Sequence, residues 1–166
     1  MNDDGTSGGT RDVSGLTLDD LRACRLQELE SLYASAPLAE MPRGIFAGEV
    51  LADVDSAAAK ETAMRLMVFL GFRLPRFGVD FDRFCWYFGY PCFAAGHFRV
   101  AAGTSRWRET AALQLHYDPS RLPQVIRGRL YDEVKPLSAA LCLGLGGVNA
   151  ARGRGDLFFF ALSRRA

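Results

Sequence analysis

The sequence predicts a mainly β protein: an antiparallel β-barrel or half-barrel of about seven strands, with an N-terminal helix and a helical insert after the first strand. Three observations support this fold class. Segments with period-two alternation follow one another with short connections, helix-like patterns are confined to the first 70 residues, and the segment 157–162 is apolar on both faces. Consecutive strands without intervening helices favour an antiparallel sheet, and this number of strands favours closure into a barrel.

Length and composition exclude several classes of function. The 166 residues predict a single domain over 16–166, and residues 1–15, which lack the basic start and apolar stretch of a signal peptide, predict a disordered tail. With 20 basic and 19 acidic side chains, the chain has no overall field that would attract nucleic acid. The apolar run 64–72 is too short to span a bilayer, so we expect a cytoplasmic protein without a membrane span.

The N-terminal half combines helical and strand patterns. Thr17, with Asp20 three residues later, is a candidate helix cap, and leucines recur at helical spacing from there, which predicts a helix over 18–35. Residues 44–54 alternate with period two and predict the first strand. Residues 57–70 are rich in good helix formers and are followed by a glycine, which predicts the helical insert.

The pattern in the middle of the chain predicts strands. Aromatic side chains share one parity through residues 81–93, which predicts a strand with a packed or pocket-lining face. Segments 95–102 and 105–117 then predict a hairpin that turns at Gly103-Thr104.

Three closing strands are predicted at the C-terminal end. The first covers 124–135 and stops at Pro136, which cannot donate to a ladder; the second follows near Ala140; the third covers 155–162. In the first, we expect Ile126, Leu130, Val134 and with them Asp132 on the interior face, and Arg127, Arg129 and Glu133 on the solvent face. A one-residue change in register would exchange the faces and make Arg127, Tyr131 and Glu133 the polar candidates instead.

The strand count and the triplet Gly44-Ile45-Phe46 resemble the small ligand-binding barrels of the lipocalin and fatty-acid-binding type. Such barrels commonly begin with Gly-x-Trp, and here Phe46 stands in the aromatic position. The resemblance covers residues 43–165 in architecture. It implies an apolar cavity for a small hydrophobic ligand and assigns no catalytic residue.

The function that we expect is binding of a small, mostly apolar molecule, because aromatic residues are abundant and no catalytic signature is present. The predicted ligand-binding residues are Trp86, Tyr90, Leu115, Tyr117 and Leu130. No cofactor is predicted, since the glycines at 144–147 lack the following helix and acidic residue of a dinucleotide site. No metal site is predicted either, because the four cysteines have no paired spacing.

Two alternatives remain open at this stage. The first is a barrel enzyme, a cyclase or isomerase, with His116 and Asp132 as acid and base. A carboxylate on an apolar face either pairs with an arginine or tyrosine as structure, or has a raised pKa and serves as an acid, base or ligand anchor. The second is a haem-binding barrel, because one histidine suffices to ligate haem iron, and His97 and His116 are the two histidines.

Overall fold

A computed structural model describes residues 13, 15–54, 77–88, 94–148 and 156–164. The predicted helical insert at 57–70 and most of the predicted tail lie outside these residues. The described part of the chain contains nine strands, in chain order β1 Ile45–Asp53, β2 Phe77–Asp80, β3 Cys85–Phe88, β4 Ala94–His97, β5 Arg99–Thr104, β6 Ala111–His116, β7 Tyr131–Ser138, β8 Leu141–Val148 and β9 Asp156–Arg164.

The strands form one antiparallel sheet with the order β4-β3-β2-β1-β9-β8-β7-β6-β5. The first and last strands of this order, β4 and β5, are separated in sequence by Phe98 alone. The sheet must therefore curl until its two edges approach each other, and the result is a nearly closed barrel. The prediction of a mainly β, antiparallel barrel is confirmed, and the predicted number of about seven strands is wrong.

The additional strands come from breaks that the period-two pattern did not reveal. The segment predicted as one strand at 81–93 begins instead with a turn over residues 81–84, where Phe84 has φ 52°, and β2 precedes that turn. The strand predicted at 95–102 is divided at Phe98 into β4 and β5. The turn predicted at Gly103-Thr104 is also wrong, because both residues belong to β5, and the hairpin closes through a longer loop in which the Ser105 N–H donates to the Thr110 carbonyl at 2.8 Å.

Two helices precede the barrel, α1 (Leu18–Ala23) and α2 (Leu26–Ser35). The capping box predicted for Thr17 and Asp20 is present. The single helix predicted over 18–35 is interrupted because the Glu28 carboxylate accepts a hydrogen bond from the Arg25 backbone N–H at 2.7 Å, which starts a second helix. No described helix is long and apolar enough to cross a membrane.

The sheet is packed on both faces along β7, β8 and β9. The barrel interior holds one cluster of buried residues, among them Phe46, Trp86, Leu115, Val134 and Phe160. The outer face holds a second cluster, in which α1 and α2 cover alternate residues of β8 and β9, including Leu143, Leu145 and Phe159. This double burial explains why the buried residues 159–162 are apolar on both faces of the strand.

The strand β7 differs from its prediction in three respects. It begins at Tyr131, because residues after Pro123 form a helical turn, α3 (Gln124–Arg127), closed by a hydrogen bond from the Arg127 N–H to the Pro123 carbonyl. It continues through Pro136, which lies opposite Cys142, and its register shifts only after that pair. The face predicted to be solvated is buried under α2, and Glu133 is fully inaccessible to solvent. Val134 faces the interior as predicted, and Leu130 packs against the same inner cluster.

Candidate functional site

A cleft opens where β6 and β7 separate. The two strands pair from Leu113 with Val134 to Leu115 with Asp132. Beyond that pair the chain leaves β6 and returns to β7 through α3. The open cleft between this connection and the ends of the two strands has a volume of about 610 Å³. We call this space the rim cleft. Its walls are Leu115, Leu130, Gly128, the aromatic rings of Tyr117 and Tyr131, and the polar side chains of Arg106, His116, Asp118, Gln124 and Arg127.

Three side chains behind the rim cleft form a continuous hydrogen-bonded series, which we call the inner polar chain. Trp86 Nε1 donates to the Tyr117 hydroxyl oxygen at 2.6 Å, and the Tyr117 hydroxyl donates to Asp132 Oδ2. An indole N–H only donates, so the Tyr117 oxygen must accept from Trp86 and its hydrogen must be directed to Asp132. When Asp132 is ionised, both bonds therefore run in the same direction, from the indole to the carboxylate, and Tyr117 connects the cleft wall to an interior carboxyl group.

Burial raises the pKa of Asp132 to about 7, and the negative charge of Glu133 acts in the same direction, while the hydrogen bond from Tyr117 lowers it. The pKa of Tyr117 is raised well above its ordinary value, first by burial and then by Asp132. Close packing encloses the carboxyl group: a Cβ on Gly146 would overlap Asp132 Oδ1. Asp132 is therefore a group that exchanges a proton near neutral pH, with a tyrosine hydroxyl between it and the cleft.

The barrel interior is filled by aromatic rings. Trp86 and Phe160 meet with ring centroids 5.7 Å apart, and Phe98 and Tyr117 with centroids 6.3 Å apart. A Cβ on Gly144 would overlap the Phe160 ring, so the glycine at this position makes room for a ring of the chain itself. The open space that borders the predicted site residues is the rim cleft, at the end of this packed interior.

His116 lies on the outer face of β6, with its ring centroid 6.2 Å from that of Tyr131. Burial lowers the pKa of His116, and the positive charges of Arg99 and Arg106 lower it further. A neutral imidazole therefore borders the cleft at neutral pH. The other histidine, His97, is exposed on β4, so neither histidine lies in the apolar interior where a haem ring would be shielded from water.

Two arginines of the cleft were not among the predicted site residues, although Arg127 was named as a polar candidate for the exchanged register. The guanidinium carbon of Arg106 lies 4.5 Å from the centre of the Tyr131 ring. Arg127 Nη1 donates to the carbonyl oxygens of Asp118 at 3.3 Å and Ser120 at 3.2 Å. The prediction assigned Arg127 to the solvent face of a strand. The available signal was Pro123, since proline favours a helix start and a helical turn follows it.

Behind the Tyr131 wall, Glu133 is held by three donors. The Tyr33 and Tyr131 hydroxyls donate to its carboxylate at 3.0 and 2.8 Å, and the Arg106 backbone N–H donates at 2.7 Å. Lys135, also fully buried, donates to the Ala36 carbonyl and to Thr110 Oγ1, each at 2.6 Å. These contacts fasten α2 and the β5–β6 loop to the sheet, and thereby fix the cleft wall formed by Tyr131.

The structure brings most of the predicted site residues together. His116, Leu115, Tyr117 and Leu130 line the rim cleft, and Asp132 lies directly behind Tyr117. Trp86 belongs to the inner cluster, with an exposed fraction of 8%, and reaches the cleft only through its bond to Tyr117. Tyr90 lies outside the described residues. Among the described side chains, no group of three or more His, Cys, Asp or Glu residues is arranged to hold a metal ion.

Comparisons with known proteins inform the fold alone. Neither a protein-family model nor a curated protein matches the chain. A solved structure described as a crystal structure of a protein from Thermomonospora curvata is similar, with a TM-score of 0.51 and 17% sequence identity, covering 86% of this chain and 89% of that one. The shared architecture supports the nearly closed antiparallel barrel.

Proposed function

We propose that the protein binds a small amphipathic molecule in the rim cleft. The observation that supports this proposal is the composition of the cleft walls, in which the partly exposed Leu130 provides an apolar surface beside charged and hydrogen-bonding groups. A volume of about 610 Å³ lies within the range of about 300 to 1,000 Å³ typical of small-molecule sites. The expected ligand is therefore more polar at one end than the mostly apolar molecule predicted from the sequence.

The wall residue Leu130 allows a direct test with a neutral fluorescent probe, N-phenyl-1-naphthylamine. The Leu130→Gln protein should bind the probe about fivefold more weakly, because roughly 1 kcal/mol of apolar contact is lost from a half-buried leucine. Leu26→Gln is the matched control, since Leu26 is also partly buried but packs on the outer cluster beside the helices. Equal affinity of the two variants, or no binding by the unmodified protein, would exclude the rim cleft as the site.

A second candidate function is an enzyme that moves a proton on such a ligand, as a cyclase or isomerase does. The specific observation in its favour is the bond from Tyr117, on the cleft wall, to Asp132, whose pKa is about 7. A general acid or base is most effective when its pKa lies near the working pH. Tyr117 would contact the ligand, and Asp132 and the neutral His116 would accept or supply the proton.

The two candidates differ in what happens to a bound molecule in heavy water. Compounds that co-purify with the protein from its own host would be identified by native mass spectrometry and returned to the protein in D₂O. An enzyme of this kind should place deuterium on carbon, and Asp132→Asn should slow that exchange at least tenfold. Recovery of every ligand without deuterium would leave binding as the function.

A further inference from the structure

We infer that the molecule bound in the rim cleft is an organic anion, with its charged group at Arg127 and its apolar body on Leu130. This inference rests on the proposed function, because it names the class of ligand for the same cleft. It is carried by the charges of the cleft walls and by the hydrogen bonds that hold Arg127.

The charged side chains on the cleft walls are unequal in number. Two guanidinium groups, those of Arg106 and Arg127, face the cleft together with one carboxylate, that of Asp118. Asp118 Oδ1 also lies 3.4 Å from Nη2 of Arg99, a residue that is not part of the cleft lining, so its negative charge is shared with a third arginine. His116 is kept neutral by its lowered pKa. On the cleft walls themselves, positive side chains therefore outnumber negative ones, which favours an anion over a cationic ligand there.

Arg127 is positioned without being neutralised. Its Nη1 donates to the backbone carbonyls of Asp118 and Ser120, and these are its hydrogen-bond partners in the part of the chain that the structure describes. Carbonyl groups orient a guanidinium but carry no net charge, so the positive charge remains for a ligand. Nε and Nη2 are then the donors that can meet a carboxylate, sulfonate or phosphate group, whose oxygens match the planar fork of an arginine.

The cleft also offers an apolar surface for part of the same molecule. Leu130 is partly exposed and packs against the inner cluster, to which the fully buried Leu115 belongs. Arg106 is stacked over the Tyr131 ring and so presents a flat wall, onto which a ring-shaped ligand would fit. Inorganic phosphate would reach Arg127 but leave Leu130 in contact with water, whereas an aromatic or alkyl acid covers both side chains.

Two probes with the same apolar body separate the contributions of charge and shape. 8-Anilino-1-naphthalenesulfonate carries a sulfonate, and N-phenyl-1-naphthylamine is the corresponding neutral compound. Arg127→Gln should weaken binding of the sulfonate about fivefold or more while changing binding of the neutral probe less than twofold, because only the sulfonate contacts the guanidinium. Arg127→Lys keeps the charge and should recover part of the loss. Added salt should weaken binding of the sulfonate alone.

Arg121→Gln is the matched control, because it removes an exposed positive charge from the same β6–β7 connection outside the cleft lining. The anion inference is wrong if Arg127→Gln affects both probes equally, affects neither, or has the same effect as Arg121→Gln. In those cases the proposed function survives, provided that the neutral probe still responds to Leu130→Gln and each probe displaces the other. If neither probe binds the unmodified protein, the proposed function fails and the inference fails with it.

Discussion

The enclosed carboxyl group of Asp132 should make the stability of the barrel fall as the pH rises. Its pKa is about 7 in the folded chain, whereas an aspartate in an unfolded chain has a pKa of about 3.9. Between these two values the folded protein keeps a proton that the unfolded chain has released. The free energy of unfolding therefore decreases with increasing pH by up to about 1.4 kcal/mol per pH unit, and the decrease ends above the folded pKa.

The magnitude follows from the size of the pKa shift. The pKa rises from 3.8 to about 7, and each pH unit of this rise changes the free energy of unfolding by about 1.4 kcal/mol. The whole shift therefore corresponds to about 4 kcal/mol. Asp132 remains partly exposed as a residue, so solvent screening reduces this to on the order of 2 kcal/mol. The neutral form of the carboxyl group is thus the one that the folded barrel favours.

Urea denaturation of the unmodified protein and of Asp132→Asn at pH 5, 6, 7 and 8 measures this effect. Other titrating groups are common to both proteins, so the difference between their unfolding free energies isolates Asp132. The unmodified protein should lose on the order of 1 kcal/mol relative to the variant between pH 5 and pH 8, because the rest of the total change falls below pH 5. Asp118→Asn, which removes an exposed carboxylate of the same region, serves as the control. A difference that stays constant with pH, or grows in the opposite direction, would refute the reasoning.

Local sequence signals predicted the elements that depend on local interactions. The capping box joins Thr17 to Asp20, three residues later, and the alternation of residues 44–54 is a property of a single pleated strand. Because both depend on neighbouring residues alone, both are found where they were predicted. The helix break at Arg25 is equally local, because Glu28 caps it. A second local signal is the leucine spacing, which widens from three residues to five between Leu21 and Leu26, where the break lies; the single predicted helix passed over both signals.

The environment of β7 depends on contacts that are distant in sequence. Alternation placed Glu133 and Arg127 on one solvated face, as is usual for charged side chains. Tyr33 donates to Glu133 across 100 positions of sequence, and no pattern within β7 indicates that a helix covers this face. In contrast, the inward direction of Val134 follows from side-chain parity within the strand, and it was predicted correctly.

The sequence predicted several residues of the candidate site but not the position of the cleft. Asp132 was selected because a carboxylate on an apolar face needs a partner, and Tyr117 proves to be that partner. The position of the cleft could not be predicted, since it depends on where the pairing of β6 and β7 ends and on the helical turn that brings Arg127 over the opening.

Three further substitutions test the packing and polar contacts. Gly144→Ala should destabilise the barrel by about 1 to 3 kcal/mol in urea titrations, because the added methyl overlaps the Phe160 ring. Glu133→Gln should lower the free energy of unfolding by on the order of 2 to 4 kcal/mol, because the new amide would face three hydrogen-bond donors. The control Glu49→Gln, at an exposed position, should lower it by less than about 1 kcal/mol, and equal losses would contradict the buried network. Tyr117→Phe interrupts the inner polar chain and leaves a buried indole N–H without its acceptor, a loss of about 2 to 4 kcal/mol. The same change removes the hydrogen bond that lowers the pKa of the interior carboxyl group, so the pH-dependent loss of stability should extend to higher pH than in the unmodified protein. A pH profile of Tyr117→Phe that coincides with that of the unmodified protein, apart from a constant offset, would mean that the hydroxyl does not control the proton on this carboxyl group.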